Sequence, residues 1–361
     1  MYTHDRTSLS ALSRPRLEAL LAAAPRQRVV VVGDAMLDVY FRGDVERISP
    51  EAPVPVVRVR ERRDALGGAA NVAQNVAALG AACTLVAAVG DDRGGEQLRA
   101  MLAAIGADPS ALVVTGRPTT TKTRVLARAQ QVVRFDEEDD TDLTADDAER
   151  VVAQVEAALS AGGGAPKATA LVFEDYNKGV LVPAVIERVT AAARTAGVPV
   201  IVDPKYRNFF CYRGATIFKP NRRELEAALG AAVDVDHPEA LPATLERLGV
   251  DHLLLTLGEH GMALLAREGD AFRVPTAARE VYDVVGAGDT VTAYLAVMLG
   301  AGATPREAAV VANFAAGVEV GKLGAQSVYP AEVLEAYDAV VAEHGGGGAG
   351  HAALAAAGAP A

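Results

Sequence analysis

Tyr282-Asp283-Val284-Val285-Gly286-Ala287-Gly288-Asp289-Thr290, followed by the apolar run Val291 to Leu299, is the stretch around which the chain is organised. Two glycines flanking an alanine let the backbone turn tightly, and the residues after them have the composition of a helix. A helix starting there presents N–H groups without intrahelical acceptors, and the positive end of its dipole, to whatever lies in front. That makes an anion site. The carboxylate of Asp289 is the odd member, since a site that only holds an anion gains nothing from a negative charge beside it. On this stretch alone two readings stay open. Asp289 caps the helix, as Asp commonly does, or it takes a proton from the acceptor when the anion is transferred.

The 361 residues suffice for one large domain or two smaller ones. Half are hydrophobic and 22% charged, which places the chain among soluble globular proteins. A formal net charge of −11 argues against non-specific binding to nucleic acid or anionic membranes. Cys83 and Cys211 are the only cysteines, so neither a disulfide framework nor a cysteine metal site is implied, and a reducing cytoplasm fits. Residues 1–27 carry scattered charges without a long apolar core and read as an extension, not a signal peptide. No window is apolar for long enough to span a membrane.

Working outward, Val29 to Val32, ending at Gly33, reads as a strand buried on both faces, as in a parallel sheet. Thr84 to Val89, Ala170 to Phe173, Val198 to Val202, Ala215 to Phe218, His252 to Thr256 and Met262 to Ala266 continue the strand series. Helical patterns fall between them, including 145–160, 183–196, 223–229 and 242–248, and two Ala-rich helices follow Ala287. Gly162 to Gly164 break one helix, and the Gly/Ala tail over 344–361 is expected to be disordered. Two segments, about 39–62 and 120–136, alternate instead, and the first carries prolines, which predicts an excursion from the main sheet. Strands alternating with helices predict an α/β fold with helices on both faces of a parallel or mixed sheet. In such sheets ligands bind beyond the carboxyl ends of strands. Asp34, Asp38, Gly67, Gly68, Asp175, Asp203, Asn221, Gly258 and Gly286 to Asp289 all follow strands or open helices, and that convergence favours Asp289 as a base.

Gly67 and Gly68 with Asn71 form a helix entrance. Joined to Asp38, they supply a carboxylate, an amide and approachable backbone for a polyhydroxylated ligand, and Asp38 is favoured over Asp34, which could pair with a basic residue. Lys122, Arg124, Arg128, Gln130, Gln131 and Arg134 make a basic segment; on a single strand Arg124, Arg128, Gln130 and Arg134 share a face, whereas a turn near Ala129 would reset that parity. Arginines suit a phosphate on the substrate, and a solvated basic edge is the plainer reading. Asn221 with Glu224 is a capping box, or the pair lies near a transferring phosphate and its Mg2+, reached through water. Thr256-Leu257-Gly258-Glu259-His260-Gly261 is a turn able to lie along nucleotide phosphates, with His260 as a surface turn residue.

Together these motifs resemble the ribokinase-like (PfkB) family of carbohydrate kinases. The glycine pair with Asn71 and the Asp283 to Asp289 stretch correspond to its two signatures, and segments such as Arg47 to Val56 and Asp175-Tyr176-Asn177-Lys178-Gly179 are similar to the branch acting on D-glycero-β-D-manno-heptose 7-phosphate. The resemblance covers about Arg28 to Pro330. It implies a kinase domain over 28–343 with the ribokinase-like three-layer α/β/α sandwich and a small β lid that mediates a homodimer. It also implies ATP with Mg2+ as cofactors, and transfer of phosphate to the anomeric hydroxyl of the heptose 7-phosphate on the route to ADP-heptose and lipopolysaccharide. By the same resemblance, Asp289 matches the base and Gly286, Ala287 and Gly288 the anion hole. Asp38, Gly67, Gly68, Asn71, Arg124, Arg128, Gln130, Asp175 and Lys205 match substrate positions; Asn221, Glu224, Thr256, Gly258, Gly261 and Asn313 match nucleotide positions, with Glu224 serving Mg2+. A monovalent cation, K+, would correspond to Asp283, Val285, Gly324 and Ser327. Val285 stands where relatives carry Ser or Thr, and Glu174 adds a charge near the mouth where a small residue is usual. Another sugar kinase, for fructose, ribose or a secondary-metabolite heptose, and a non-catalytic sugar-phosphate-binding regulator are the alternatives.

Overall fold

Val29, Val30, Val31 and Val32 are all fully buried, and their alternation decides the architecture: Val29 and Val31 face one hydrophobic core, Val30 and Val32 the other. The computed structural model describes residues 11–128, 130–160, 167–234, 241–267, 271–278 and 281–346. In chain order the elements are α1 (Arg14–Ala23), β1 (Arg28–Gly33), β2 (Ala35–Ile48), β3 (Pro55–Gly68), α2 (Ala69–Ala78), β4 (Ala82–Val86), β5 (Ala88–Gly90), α3 (Arg93–Ala104), β6 (Val113–Thr115), β7 (Thr121–Ala127) and β8 (Gln130–Glu137). There follow α4 (Ala145–Ser160), β9 (Ala170–Glu174), α5 (Pro183–Ala196), β10 (Val200–Asp203), β11 (Ile217–Phe218), α6 (Arg222–Leu229), α7 (Leu241–Leu248), β12 (His252–Thr256), β13 (Met262–Ala266), β14 (Ala271–Val274), α8 (Ala287–Gly300), α9 (Pro305–Glu319) and α10 (Pro330–Gly346).

The main sheet has eight strands in the order β14-β13-β12-β11-β10-β9-β1-β4. From β4 to β12 every pairing is parallel; β13 and β14 add an antiparallel edge. Core residues of α1, α2, α8, α9 and α10 cover one face, and those of α4, α5, α6 and α7 the other. This is the expected three-layer sandwich. Gly33, Glu174 and Asp203 stand level at the carboxyl ends of β1, β9 and β10, which is where the topology directs ligands.

One strand boundary is corrected. The expected strand over Thr84 to Val89 is broken at Ala87: β4 joins the main sheet, whereas β5 pairs with β6 in a separate two-stranded sheet. The segment before Arg28 does not stand apart, because α1 buries Leu17, Leu20 and Leu21, spaced to share one helical face, against the core that holds Val29. Arg14 pairs with Asp338, and the Tyr337 hydroxyl donates to the Leu12 carbonyl, which ties α1 to α10. Gly162 to Gly164 and the tail beyond Gly346 lie outside the described residues, while α10 continues through Gly346.

The lid is a four-stranded sheet ordered β3-β2-β7-β8. β2 and β3 run antiparallel from Ala35 opposite Gly68 at the root to Ile48 opposite Pro55 at the tip. Val45, Ile48, Val59, Val133 and Phe135 are exposed on it.

Candidate active site

Gly286 opens α8 with φ +93°, a left-handed conformation suited to glycine. An added Cβ would also lie 2.8 Å from Ala325 Cβ and 3.1 Å from Asn71 Nδ2. Asp289 follows in the first turn and is buried. Its carboxylate caps nothing in its own helix. One oxygen accepts from Asn71 Nδ2 of α2 at 2.7 Å, and the other from the Tyr176 hydroxyl at 2.9 Å. Burial pushes the Asp289 carboxyl up to about 6, with the Asp203 charge acting in the same direction and the two hydrogen bonds opposing it. A carboxylate of that basicity, hydrogen-bonded but not paired directly with a cation, is suited to accept a proton.

Asp203, at the end of β10, accepts from Lys219 Nζ at 2.7 Å in a buried ion pair, and Gly288 lies close by: a Cβ on it would be 3.6 Å from both Asp203 Oδ2 and Lys219 Nζ. Glu174 does not add a charge at the mouth as expected. The pleat turns it inward, where it is fully buried, and its carboxyl is raised well above the ordinary range by burial and then by Asp203 and Asp289.

On the lid side, Asp38 pairs with Arg124 at 2.5 Å. Gly67 is required beside it, because a Cβ there would come within 2.4 Å of Asp38 Oδ2. Gly68 has φ +56°, and a Cβ on it would lie 2.4 Å from the Asp34 carbonyl oxygen. Lys122 and Lys205 both lie over the Tyr176 ring, at 5.8 and 5.1 Å from its centroid. Lys205 also pairs with Glu224 at 2.5 Å. Contacts link these residues towards Asp289: Asn71 bonds it directly, a Cβ on Gly68 would lie 3.4 Å from the Tyr176 ring, Arg124 pairs with Asp38, and Lys205 lines the cavity that Asp289 also lines.

Three other substrate candidates do not reach it. Asp175 points into the fold, accepting from the Tyr212 hydroxyl at 2.6 Å and from the Asn177 amide. Arg128 and Gln130 flank the β7–β8 turn and are exposed, level with Gly43 and not with Asp38, which is roughly 17 Å away along β2. The parity of a single strand fails because the chain reverses there; Ala129 itself lies outside the described residues. Asp34, which could have met a basic side chain, instead accepts from the amides of Tyr176, Lys178 and Val180, fixing the loop that carries Tyr176.

A cavity of about 740 Å³ extends from Asp289 and Gly286 to Gly288 across to Asn221, Glu224, Thr256, Gly258, Gly261 and Asn313. Asn221 and Glu224 form the full capping box of α6 and still line the cavity. Gly261 could not carry a side chain, since a Cβ would meet the Val274 carbonyl at 2.1 Å. Asn313 donates to the Pro275 carbonyl and so shapes the wall. His260 is an exposed turn residue.

The loops expected to hold a monovalent cation are tied together by hydrogen bonds. Asp283 accepts from the amides of Val285 and Gly324, and the Ser327 carbonyl accepts from Lys322, which is itself paired with Glu332. Tyr176 and Lys219 are the functional positions that sequence reasoning passed over. Tyr176 lies within a quoted motif and Lys219 directly follows the strand Ala215 to Phe218, and their proximity to Asp289 and Asp203 comes from strand order, which no local pattern carries.

A buried carboxylate at a helix N-terminus, facing a cavity of about 740 Å³ in an α/β/α sandwich with a β lid, is the arrangement of a sugar kinase. Residues 26–332 match the family model described as pfkB family carbohydrate kinase, and the chain belongs to that family. Among curated proteins it is 44% identical over 331 residues to the bifunctional protein HldE of Rhodospirillum rubrum and 46% identical over 322 residues to that of Gluconacetobacter diazotrophicus, which covers 89% and 88% of this chain. The chain spans only 64% and 65% of those relatives' own lengths. Solved structures share the fold. Arabidopsis thaliana ribokinase complexed with ribose and ATP matches with a TM-score of 0.66 at 23% identity, covering 86% of this chain and 98% of that one. Escherichia coli phosphofructokinase-2 in complex with potassium matches with a TM-score of 0.70 at 20% identity, covering 87% and 99%.

Proposed function

We propose that the chain transfers the γ-phosphoryl group of ATP to the anomeric hydroxyl of D-glycero-β-D-manno-heptose 7-phosphate, giving the 1,7-bisphosphate for ADP-heptose and lipopolysaccharide. The observation that carries this reading is Asp289, ionisable near neutrality and held by Asn71 and Tyr176 at the mouth of the α8 N-terminus. The specific sugar rests on the similarity of the lid and glycine-pair segments to the heptose 7-phosphate branch, and is supported by relatives at 44% identity named as bifunctional HldE. Lys122 and Arg124 on the lid give a substrate that already carries a phosphate a cationic wall.

In this mechanism the substrate hydroxyl lies against Asp289, which accepts its proton as the oxygen attacks the γ-phosphorus and the bond from that phosphorus to the bridging oxygen breaks, releasing ADP. The α8 N–H groups at Gly286 to Gly288 face the charge spread over the transferring group. Asp38, Asn71 and the close backbone at Gly67 and Gly68 orient the sugar, and the lid excludes water. The Glu224 carboxylate lines the cavity and retains acceptor capacity beyond its bonds to Lys205 and Asn221, so it fits the water-mediated support of Mg2+. When bound on the nucleotide, that ion supplies neutralisation of phosphate charge. We place the enzyme in the cytoplasm, in keeping with its free Cys83 and Cys211; among the described residues no helix is long and apolar enough to cross a membrane. The exposed lid residues Val45, Ile48 and Val59 support a homodimer through the lid, which sedimentation would test. The kinase domain is taken as 28–343, with α1 packed on it.

A coupled ADP-release assay with heptose 7-phosphate, fructose 6-phosphate and ribose tests the assignment. Preference for the heptose supports it, preference for another sugar replaces the substrate, and no sugar-dependent ADP release would leave a sugar-phosphate-binding regulator.

A further inference from the structure

Glu174 and Asp203 are register partners on the adjacent strands β9 and β10. The alternation of each strand puts them on the same face, the one that Val172 and Ile201 share with α8. Like charges side by side on neighbouring strands are destabilising, and here α8 brings a third carboxylate, Asp289, against them. One carboxylate oxygen of each lies within 4.8 Å of the others, and all three residues are buried. Asp289 and Asp203 have hydrogen-bond donors. Glu174 is 0% exposed, and neither of its carboxylate oxygens has a hydrogen-bond partner among the described residues.

A buried carboxyl with no donor and two carboxylates for neighbours is not a packing solution, because each alternative role for it is better filled by an apolar side chain. The cationic groups facing it are Lys219, paired with Asp203, and Lys205, paired with Glu224; the Tyr176 hydroxyl already donates to Asp289. With Glu174 ionised, as it would be around a bound cation, the three carboxylates against the one ammonium within the cluster leave two negative charges. We infer that Glu174, Asp203 and Asp289 form a binding site for a hard divalent cation, of the Mg2+ or Mn2+ class, that the protein occupies before nucleotide arrives. All-oxygen donors of this charge select such ions. The site is separate from the nucleotide metal near Glu224 and does not depend on which sugar the enzyme phosphorylates. Its cation keeps Asp289 ionised and compensates the Glu174–Asp203 juxtaposition until the phosphates enter.

The test is a titration of nucleotide-free protein with Mn2+ at pH 7.5, following free Mn2+ by electron paramagnetic resonance, for the wild type and Glu174→Gln. Losing even an outer-shell partner weakens a metal site roughly 10–100-fold, so the inference expects tight Mn2+ binding in the wild type and at least a tenfold loss in the variant, with ATP-dependent Mn2+ binding kept in both. Absence of nucleotide-free binding, or equal affinity in the variant, overturns it and leaves Glu174 as a carboxyl that stays protonated. Should the variant fail to fold, anomalous scattering from wild-type crystals soaked in Mn2+ without nucleotide decides: a peak coordinated by Glu174 supports the site, and no peak, or one only at Glu224, refutes it.

Discussion

Asn71 Nδ2 donates to Asp289 Oδ2 across 2.7 Å, although 218 residues separate them in the chain. The bond joins the N-terminal turn of α2, entered through the glycine pair, to the N-terminal turn of α8. It therefore ties the entrances of the two helices together. A hydrogen bond to a charged group contributes about 1.5–3 kcal/mol, so Asn71→Ala should lower kcat roughly 10- to 100-fold while the KM for ATP stays near the wild-type value. Steady-state kinetics check this, and a change confined to the ATP KM would move Asn71 out of this role.

Asp289 should titrate near pH 6 in metal-free, nucleotide-free protein, because burial disfavours its charged form. The sign follows for stability: the folded-state value lies above the ordinary 3.8, so this group's contribution is fully present below about pH 4 and is lost as pH rises through 6. Carboxyl 13C shifts in EDTA, compared between wild type and Asp289→Asn, measure the midpoint. A midpoint near 4 would mean that the carboxylate is already well solvated and a weaker base than the geometry implies.

Gly286→Ala should cost more than a left-handed alanine normally does, about 1–2 kcal/mol, because the new methyl also meets Ala325 and Asn71. Gly106→Ala is the control, since its φ of +77° is left-handed too but nothing lies within 4 Å of the added carbon. Thermal melting and kcat together separate the effects: Gly106→Ala loses melting temperature alone, whereas Gly286→Ala loses activity as well. Normal turnover in Gly286→Ala would show that the α8 entrance is less tightly fitted than its contacts suggest.

Much of this was legible because the chain states it locally. Four consecutive valines identify a strand buried on both faces, and glycines and aspartates directly after strands mark the ligand edge. Asn221 and Glu224 form the capping box that their three-residue spacing predicts. What the chain hides is register and reversal. Glu174 looks like a charge at the mouth until the pairing of β9 with β10 places it beside Asp203, inside the protein. Arg128 and Gln130 share a face with Arg124 only on an unbroken strand, and the turn between them removes them to the lid tip. Asp175 carries the stronger chemical label than Tyr176, yet Tyr212 draws Asp175 into the fold and leaves the tyrosine to reach the base. Leu17, Leu20 and Leu21 in α1 occupy too short an amphipathic run to announce that it belongs to the core.

The central claim is that Asp289 takes the proton from the attacking hydroxyl. Asp289→Asn keeps the shape and the Tyr176 contact but removes the base, and the most direct measurement is its single-turnover phosphoryl-transfer rate at saturating ATP and sugar phosphate, alongside its affinity for ATP. The account predicts a rate at least about a hundredfold below wild type with ATP binding retained; a near-normal rate would contradict it.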